Sequence, residues 1–229
     1  MNITGFQKLT LKDYPKHVAC IIFTQGCNFK CPYCQNSDLI SFENNNLISE
    51  EDVLHYLTKR KNMLEGVVIT GGEPLLQKDI KTFIKKLKEL GLKIKLDTNA
   101  SNPILLKELL DEDLLNYVAM DIKNDYIDFE KTAGVKNLKM ENINESINLL
   151  KNSNINHEFR TTIVKEFHKY QNIENICNLI GQDEKYYLQN FEDSQGVLDH
   201  ELHGFTKEEL QGIQEELEKN FPNVKVRGL

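Results

Sequence analysis

Six short apolar runs alternate with six amphipathic helical patterns along this chain, and that alternation narrows the folds open to it. The runs cover 17–24, 66–70, 92–97, 117–121, 157–164 and 185–190. They are five to eight residues long, and the first contains Val18 to Phe23, which reads as a buried strand. Between them the apolar residues recur at helical spacing. Ser49 caps the first helix, with Asp52 three residues on and Val53, Leu54 and Leu57 inward. Ile80, Phe83, Ile84, Leu87 and Leu90 form the next stripe, closed by Gly91. Asn102 followed by Pro103 reads as a cap and a first-turn proline, with Leu105, Leu106 and Leu109 behind. Ile143, Ile147 and Leu150 mark a fourth helix, and Ile173, Ile176, Cys177 and Ile180 a fifth. Thr206 with Glu209 is a capping box, with Phe205 and Leu210 placed as a staple. Six strand–helix units predict a parallel sheet with helices outside it. On this evidence alone a doubly wound sheet remains open. Residues 3–11 alternate weakly and predict an extra strand or arm.

The length, 229 residues, suits one large α/β domain. We expect a single domain over 1–229, with an N-terminal strand or arm at 1–15, a core at 16–190, and a C-terminal loop and helix at 191–229. No stretch approaches the roughly 20 apolar residues of a membrane helix. The polar start carries no targeting pattern, so cytoplasm is the expected location. Net charge is −7 with both signs interspersed, which argues against the basic face of a nucleic-acid binder. Lys85, Lys86, Lys88 and Glu89 read as a solvated helix face, and Asn44, Asn45 and Asn46 as a turn.

The first apolar run leads into Cys27, Cys31 and Cys34, spaced C-x3-C-x2-C. Three thiolates on one loop can hold three corners of a cubane iron–sulfur cluster, leaving one iron without a protein ligand. An open position on a catalytic metal is where substrate binds. Structural zinc takes four N or S ligands, and neither a second Cys pair nor a His in the loop is present to complete such a set. A disulfide with a spare thiol does not suit a chain expected in the cytoplasm. Core cysteines would not bracket Asn28, Lys30 and Pro32. Cys20 and Cys177, by contrast, sit on apolar faces and read as small core residues.

Other unusual residues fall where the strands end, the rim at which parallel α/β folds gather their chemistry. Gly71-Gly72-Glu73-Pro74 follows the second run. Its glycines permit close backbone approach to a ligand and Glu73 can accept from an ammonium; equally, the segment reads as a strand-to-helix turn. Asp97-Thr98-Asn99 is either a ligand loop or a helix entry. Asp121 and Lys123 alternate onto one strand face, as a surface ion pair or as ligand contacts. Arg160, in the fifth run, needs a carboxylate partner if buried, with Glu73 and Asp121 as candidates. Gln189 is a weaker candidate in the sixth. Tyr33 is either a ligand-stacking or a core ring. His200 and His203 read as surface loop residues rather than metal ligands.

The triplet, with Tyr33 before its third cysteine, resembles the C-x3-C-x-aromatic-C signature of radical S-adenosylmethionine enzymes. The stretches Gly5 to Leu11, Asp13-Tyr14-Pro15 and Gln25 to Asn36 resemble the activating protein of anaerobic ribonucleoside-triphosphate reductase, among the glycyl-radical-enzyme activases. The resemblance covers nearly the whole chain and is densest in its first half. Gln35 stands where a histidine is frequent, and Lys16 where a glycine is. The resemblance implies an open partial (β/α)6 barrel and a 4Fe-4S cluster on Cys27, Cys31 and Cys34. It implies S-adenosylmethionine held by Tyr33, Gly71, Gly72, Glu73, Thr98, Asn99, Asp121, Lys123 and Arg160. Within that set, Gly71–Glu73 would serve the methionine amino group, Thr98 and Asn99 the ribose and carboxylate, and Tyr33 the adenine. It also implies a monovalent cation near Asp97, Thr98 and Asp121, a flavodoxin- or ferredoxin-like donor, and a glycyl radical enzyme as partner. The 5′-deoxyadenosyl radical would take a hydrogen from a glycine Cα of that partner. Two rival readings stand beside this one. One is a radical enzyme with a small substrate, such as a 7-carboxy-7-deazaguanine synthase. The other is a non-catalytic module with zinc or a structural cluster.

Overall fold

The computed structural model describes residues 1–43 and 46–227, so the turn expected at Asn44 and Asn45 lies outside the described residues. Among the described residues there are eight strands: β1 (Ile3–Thr10), β2 (Ala19–Thr24), β3 (Gly66–Gly71), β4 (Lys93–Thr98), β5 (Tyr117–Asp121), β6 (Asn156–Ile163), β7 (Tyr186–Asn190) and β8 (Val224–Arg227). The described residues also form seven α-helices: α1 (Glu50–Arg60), α2 (Ile80–Glu89), α3 (Pro103–Asp111), α4 (Phe129–Ala133), α5 (Met140–Lys151), α6 (Tyr170–Ile180) and α7 (Lys207–Glu218). The chain forms two compact units. The first takes Met1–Asn28, Asp38–Ala119 and Glu141–Asn156; the second takes Phe29–Ser37, Met120–Met140 and the residues from His157 onward.

In the first unit β1 runs antiparallel to β2, and β2, β3 and β4 are parallel. The weak alternation of 3–11 is therefore a strand. Val67, Val68, Ile69, Ile94 and Leu96 are buried, and α2 lays down Ile80, Phe83, Ile84 and Leu87, all essentially inaccessible. Each such side chain removed from water contributes about 1.5–3 kcal/mol. The caps form as their residues dictate. Ser49 Oγ accepts from Asp52 N at 3.1 Å, and Asn102 Oδ1 from Leu105 N at 3.2 Å. Asp13-Tyr14-Pro15 has a packing role. Tyr14 is 2% exposed in a cluster with Ala19, Ile21, Val68, Tyr117 and Ala119, and its ring lies over Gly66, where a Cβ would sit 2.7 Å from it.

In the second unit β6, β7 and β8 are parallel. Tyr186 donates to Thr161 Oγ1 at 2.7 Å, both side chains being buried, and the guanidinium of Arg227 lies 3.8 Å from the Tyr187 ring. The capping box at Thr206 and Glu209 opens α7. Two elements go beyond the sequence reading. β8 is only four residues long, and α4 only five, too short for either period to declare itself. Among the described residues, no helix is long and apolar enough to cross a membrane.

Candidate functional site

The first unit carries Cys27, the Gly71–Pro74 turn and the loop after β4. Gly71 ends β3 at φ +119°, and a Cβ there would sit 2.3 Å from Thr24 N, so only glycine closes this pairing. Gly72 N donates to Thr24 O at 2.9 Å and Glu73 N to Gly26 O at 2.8 Å. A Cβ on Gly72 would stand 2.2 Å from Gly26 O. On its other side, the approach to Cys27 is held by Gly26 N to Leu39 O at 2.8 Å and Cys27 N to Ile40 O at 3.1 Å. The start of the cysteine loop is thus fixed through its backbone.

Glu73 is wholly inaccessible. Its carboxylate accepts from Leu75 N at 2.9 Å, Thr98 Oγ1 at 2.6 Å and Asn99 N at 2.7 Å. It therefore caps the 3-10 turn Pro74–Leu76 and ties β3's end to the loop after β4. Hydrogen bonds to a charged acceptor are worth about 1.5–3 kcal/mol each, enough to hold a carboxylate away from water. Glu73 thus has a fold-holding role, and its neighbours Gly71 and Gly72 are half-buried. Asn99 Nδ2 donates to Asn28 Oδ1 at 3.0 Å, Asn28 Nδ2 to Ser101 Oγ at 2.8 Å, and Ser101 N to Asn99 Oδ1 at 3.0 Å. This ring anchors the residue after Cys27. Asp97 is ion-paired to Lys95 at 2.6 Å, a lysine only 2% exposed. The Thr98 hydroxyl is engaged by Glu73 and by Ala100 N. Two of the residues read as cation ligands, Asp97 and Thr98, are thus engaged with neighbouring protein groups.

The second unit carries Cys31 and Cys34. Cys34 N donates to Cys31 O at 3.0 Å, closing a turn around Pro32 and Tyr33, and Asp199 N donates to Pro32 O at 3.1 Å. Two glycines admit this stretch at a distance no side chain would tolerate. A Cβ on Gly134 would lie 2.0 Å from Lys30 O, and one on Gly196 2.1 Å from Gln35 O. Gln35 donates to Glu192 O at 3.0 Å, so the residue found in place of histidine also braces the loop.

Cys31 is 7% exposed. Burial pushes its thiol up, and Cys34 and Asp121 add to the rise, against which the Lys123 charge pulls down. Asp121 receives Arg160 Nε and Nη2, each at 2.9 Å, and Lys123 Nζ at 3.3 Å. Burial opposes ionisation of Asp121, but the two cations outweigh it and bring the carboxyl down to about 2. Arg160 therefore pairs with Asp121, one of its two candidate carboxylates. The structure gathers Cys31, Cys34, Tyr33, Asp121, Lys123 and Arg160 into one electrostatic neighbourhood. Gln189 stands in β7 in register with Thr162 and Arg227. His200 pairs with Asp193 at 2.8 Å and His203 with Glu166 at 2.9 Å, separate exposed contacts. Cys20 and Cys177 are buried, with thiols pushed up to about 12 by that burial. Among the described residues, no three His, Cys, Asp or Glu side chains gather as ligands of one metal ion.

His168, which the sequence reading passed over, is 1% exposed. Its Nδ1 accepts from Val164 N at 3.1 Å and its Nε2 faces Lys123 O at 2.9 Å. The neutral ring with its proton on Nε2 satisfies both bonds and pins the backbone of Lys123. Burial lowers its pKa, against the backbone bonds and Asp125 and Asp128, which raise it. A histidine depressed in the folded state binds its proton more readily when unfolded. Its stabilising share is present above about pH 6.5 and is lost as pH falls toward the folded value, at up to about 1.4 kcal/mol per unit. Urea unfolding at pH 7.5 and 5.5 should show that loss in the wild type. The difference should shrink in His168→Gln; an unchanged pH dependence would count against this assignment.

Residues 21–180 match the profile of the Radical SAM superfamily. A provisionally named glycyl-radical enzyme activating enzyme of Methanocaldococcus jannaschii is 34% identical over 194 residues, covering 83% of this chain and 80% of that one. A pyruvate formate-lyase-activating enzyme of Clostridium pasteurianum is 30% identical over 128 residues, 54% of this chain and 52% of its own length. Among solved structures, Streptococcus suis SuiB bound to S-adenosylmethionine superposes with a TM-score of 0.69 at 18% identity, over 89% of this chain and 48% of that one. The chain belongs to the Radical SAM superfamily. It has that family's α/β fold, with an open rather than closed sheet, and the family's cofactors are a 4Fe-4S cluster and S-adenosylmethionine.

The residues present fit those cofactors. Among the described residues none of the five cysteines is in a disulfide. The loop bearing three of them is held by main-chain bonds and glycine contacts on both limbs. The Tyr33 hydroxyl is buried and makes no hydrogen bond among the described residues. An unpaired buried hydroxyl costs about 1–3 kcal/mol. A neutral thiol is a weak acceptor; an ionised Cys31 sulfur, as a cluster ligand would be, is a strong one.

Proposed function

We propose that this protein is a glycyl-radical-enzyme activating enzyme, with anaerobic ribonucleoside-triphosphate reductase as its partner. The observation that carries the activase reading is the 34% identity to the Methanocaldococcus jannaschii protein over most of both chains. The partner rests on the motif strings around Asp13-Tyr14-Pro15 and the cysteine loop. A flavodoxin- or ferredoxin-like protein would supply electrons, and the setting would be cytoplasmic.

In this reading Cys27, Cys31 and Cys34 hold the cluster. When bound, the cluster and S-adenosylmethionine supply reductive cleavage to a 5′-deoxyadenosyl radical. The remaining work belongs to the chain. Gly71 and Gly72 offer backbone groups to the methionine amino group, positioned by the buried Glu73 carboxylate. Lys123 and Arg160 present positive charge to the methionine carboxylate, held in place by Asp121. Asn99 faces the ribose and the Tyr33 ring the adenine. No side chain is required to move a proton.

The test is anaerobic reconstitution followed by two measurements. The first is 5′-deoxyadenosine formed from S-adenosylmethionine under reduction. The second is a glycyl radical, seen by electron paramagnetic resonance, on an added anaerobic ribonucleotide reductase. Cleavage without a glycyl radical on that or any other glycyl radical enzyme, but stimulated by a small molecule, would sink the activase reading.

A further inference from the structure

We propose that Tyr126 and Ile127 form an apolar knuckle on which the partner enzyme docks to present its glycine. The inference rests on the activase reading and deepens it by naming a surface that holds the protein substrate.

The two residues lie in the loop between β5 and α4, where Tyr126 is 63% exposed and Ile127 85%. Directly before them, Asn124 and Asp125 are buried. That inverts the usual surface loop, which turns its polar side chains to water and its apolar ones inward. Both inward side chains are engaged. Asn124 Nδ2 donates to Thr132 Oγ1 at 2.8 Å and to Phe167 O at 3.0 Å. Asp125 Oδ1 accepts from Asp128 N at 3.1 Å, and its Oδ2 from Asn172 Nδ2 at 3.1 Å and Asn175 Nδ2 at 2.8 Å. With His168 on the Lys123 carbonyl, the loop is braced from Lys123 to Asp128. It cannot turn its two apolar side chains inward without breaking these bonds. A loop already ordered loses little freedom when a partner covers it, and tyrosine is prominent among the residues that carry binding energy at interfaces.

The position of the knuckle says what covers it. Phe129, at the start of α4, packs edge-on against Phe29 with centroids 6.2 Å apart. Ala133 O, at the end of α4, accepts from Lys30 N at 2.9 Å. The knuckle and α4 therefore abut the cysteine loop. In the activase reading a hydrogen is taken from a glycine of another protein beside that loop, so the adjoining surface is one that protein must cover. A second copy of this chain seated there would obstruct the glycine, and a small substrate has no use for an apolar contact outside its site.

Ile127→Asp and Tyr126→Ala alter side chains already in water, so both variants should fold. Met63→Asp is the control, as exposed as Tyr126 but placed before β3, where a strand begins. Each protein is reconstituted anaerobically and read three ways. These are affinity for immobilised anaerobic ribonucleoside-triphosphate reductase, glycyl radical formed as that reductase is raised in concentration, and 5′-deoxyadenosine formed under reduction without it. Both knuckle variants should bind the reductase roughly tenfold or more weakly and need correspondingly more of it for half-maximal radical formation. Their partner-free cleavage should stay at the wild-type rate, and Met63→Asp should match wild type in all three. Wild-type affinity and saturation in both knuckle variants would overturn the knuckle and leave the activase reading standing. Partner-free cleavage that falls in step with radical formation would also overturn it, because the loop would then act on the cofactor site. So would a wild-type homodimer that Ile127→Asp converts to monomer in sedimentation velocity, which would give the face to a second copy. Wild type that cleaves S-adenosylmethionine but forms no glycyl radical on this reductase or any other glycyl radical enzyme would overturn the activase reading and the knuckle together.

Discussion

Alanine at Cys27, Cys31 or Cys34 is expected to reduce S-adenosylmethionine cleavage to background, while alanine at Cys20 or Cys177 leaves it near wild type. The contrast comes from position and charge. A metal-bound cysteine must be a thiolate, so a ligand needs surroundings that tolerate negative sulfur. Cys20 and Cys177 have none. Both are buried among apolar side chains, with thiols pushed up to about 12. Cys31 is also buried, but the Lys123 charge acts on it in the opposite sense. Cys27 and Cys34 are partly accessible. Removing one of the three proposed ligands would leave a second iron without a protein ligand and so would loosen the cluster. Removing Cys20 or Cys177 takes one sulfur from a core, typically about 1 kcal/mol. Iron and sulfide content, with 5′-deoxyadenosine per protein, checks both halves. Substantial cleavage in any of the three loop variants would break the assignment of the triplet.

The parts of this molecule that were legible in its sequence are those set by local patterns. Strand β5 falls on residues 117–121 as expected, and the caps at Ser49, Asn102 and Thr206 form because each needs only residues three positions apart. The Asp121–Arg160 pair was readable in outline, since a partly buried guanidinium calls for a carboxylate. Glu73 was harder. Pro74 directly after it is a first-turn signal that favours a capping side chain, and the structure realises that alternative. What motif reading missed is the pair of backbone donors, Leu75 and Asn99, that occupy its oxygens.

His168 was missed for a different reason. Its partners are the main chains of Val164 and Lys123, and no side-chain pattern announces a bond to backbone 45 residues away. The same is true of Gly134 and Gly196. Within the chain they look like ordinary turn glycines; only the fold shows that each lies against a carbonyl of the cysteine loop. A scan for side-chain chemistry finds the ligands of such a site and overlooks the residues that must lack a side chain for the ligands to be placed.

That omission gives the second large expected effect, in Gly134→Ala. Gly134 lies in the left-handed region at φ +64°, and Gly91 at φ +80°. An alanine at either place carries a left-handed backbone cost of roughly 1–2 kcal/mol. The surroundings separate them. A Cβ at Gly91 meets nothing within 4 Å, whereas at Gly134 it would lie 2.0 Å from Lys30 O, with Lys30 N itself bonded to Ala133 O at 2.9 Å. Main-chain oxygen cannot rotate aside, so residues 30 and 31 must shift. Overpacking of this kind costs about 1–3 kcal/mol more. It also falls on the residue before Cys31, so cluster retention should drop along with stability. Urea unfolding and iron content of the two variants, measured together, decide the matter. Gly91→Ala should lose about 1–2 kcal/mol and keep its iron, whereas Gly134→Ala should lose roughly 2–5 kcal/mol by the same sum and load poorly. If both variants lose the same stability and hold the same iron, the close approach of Gly134 does not fix the cysteine loop.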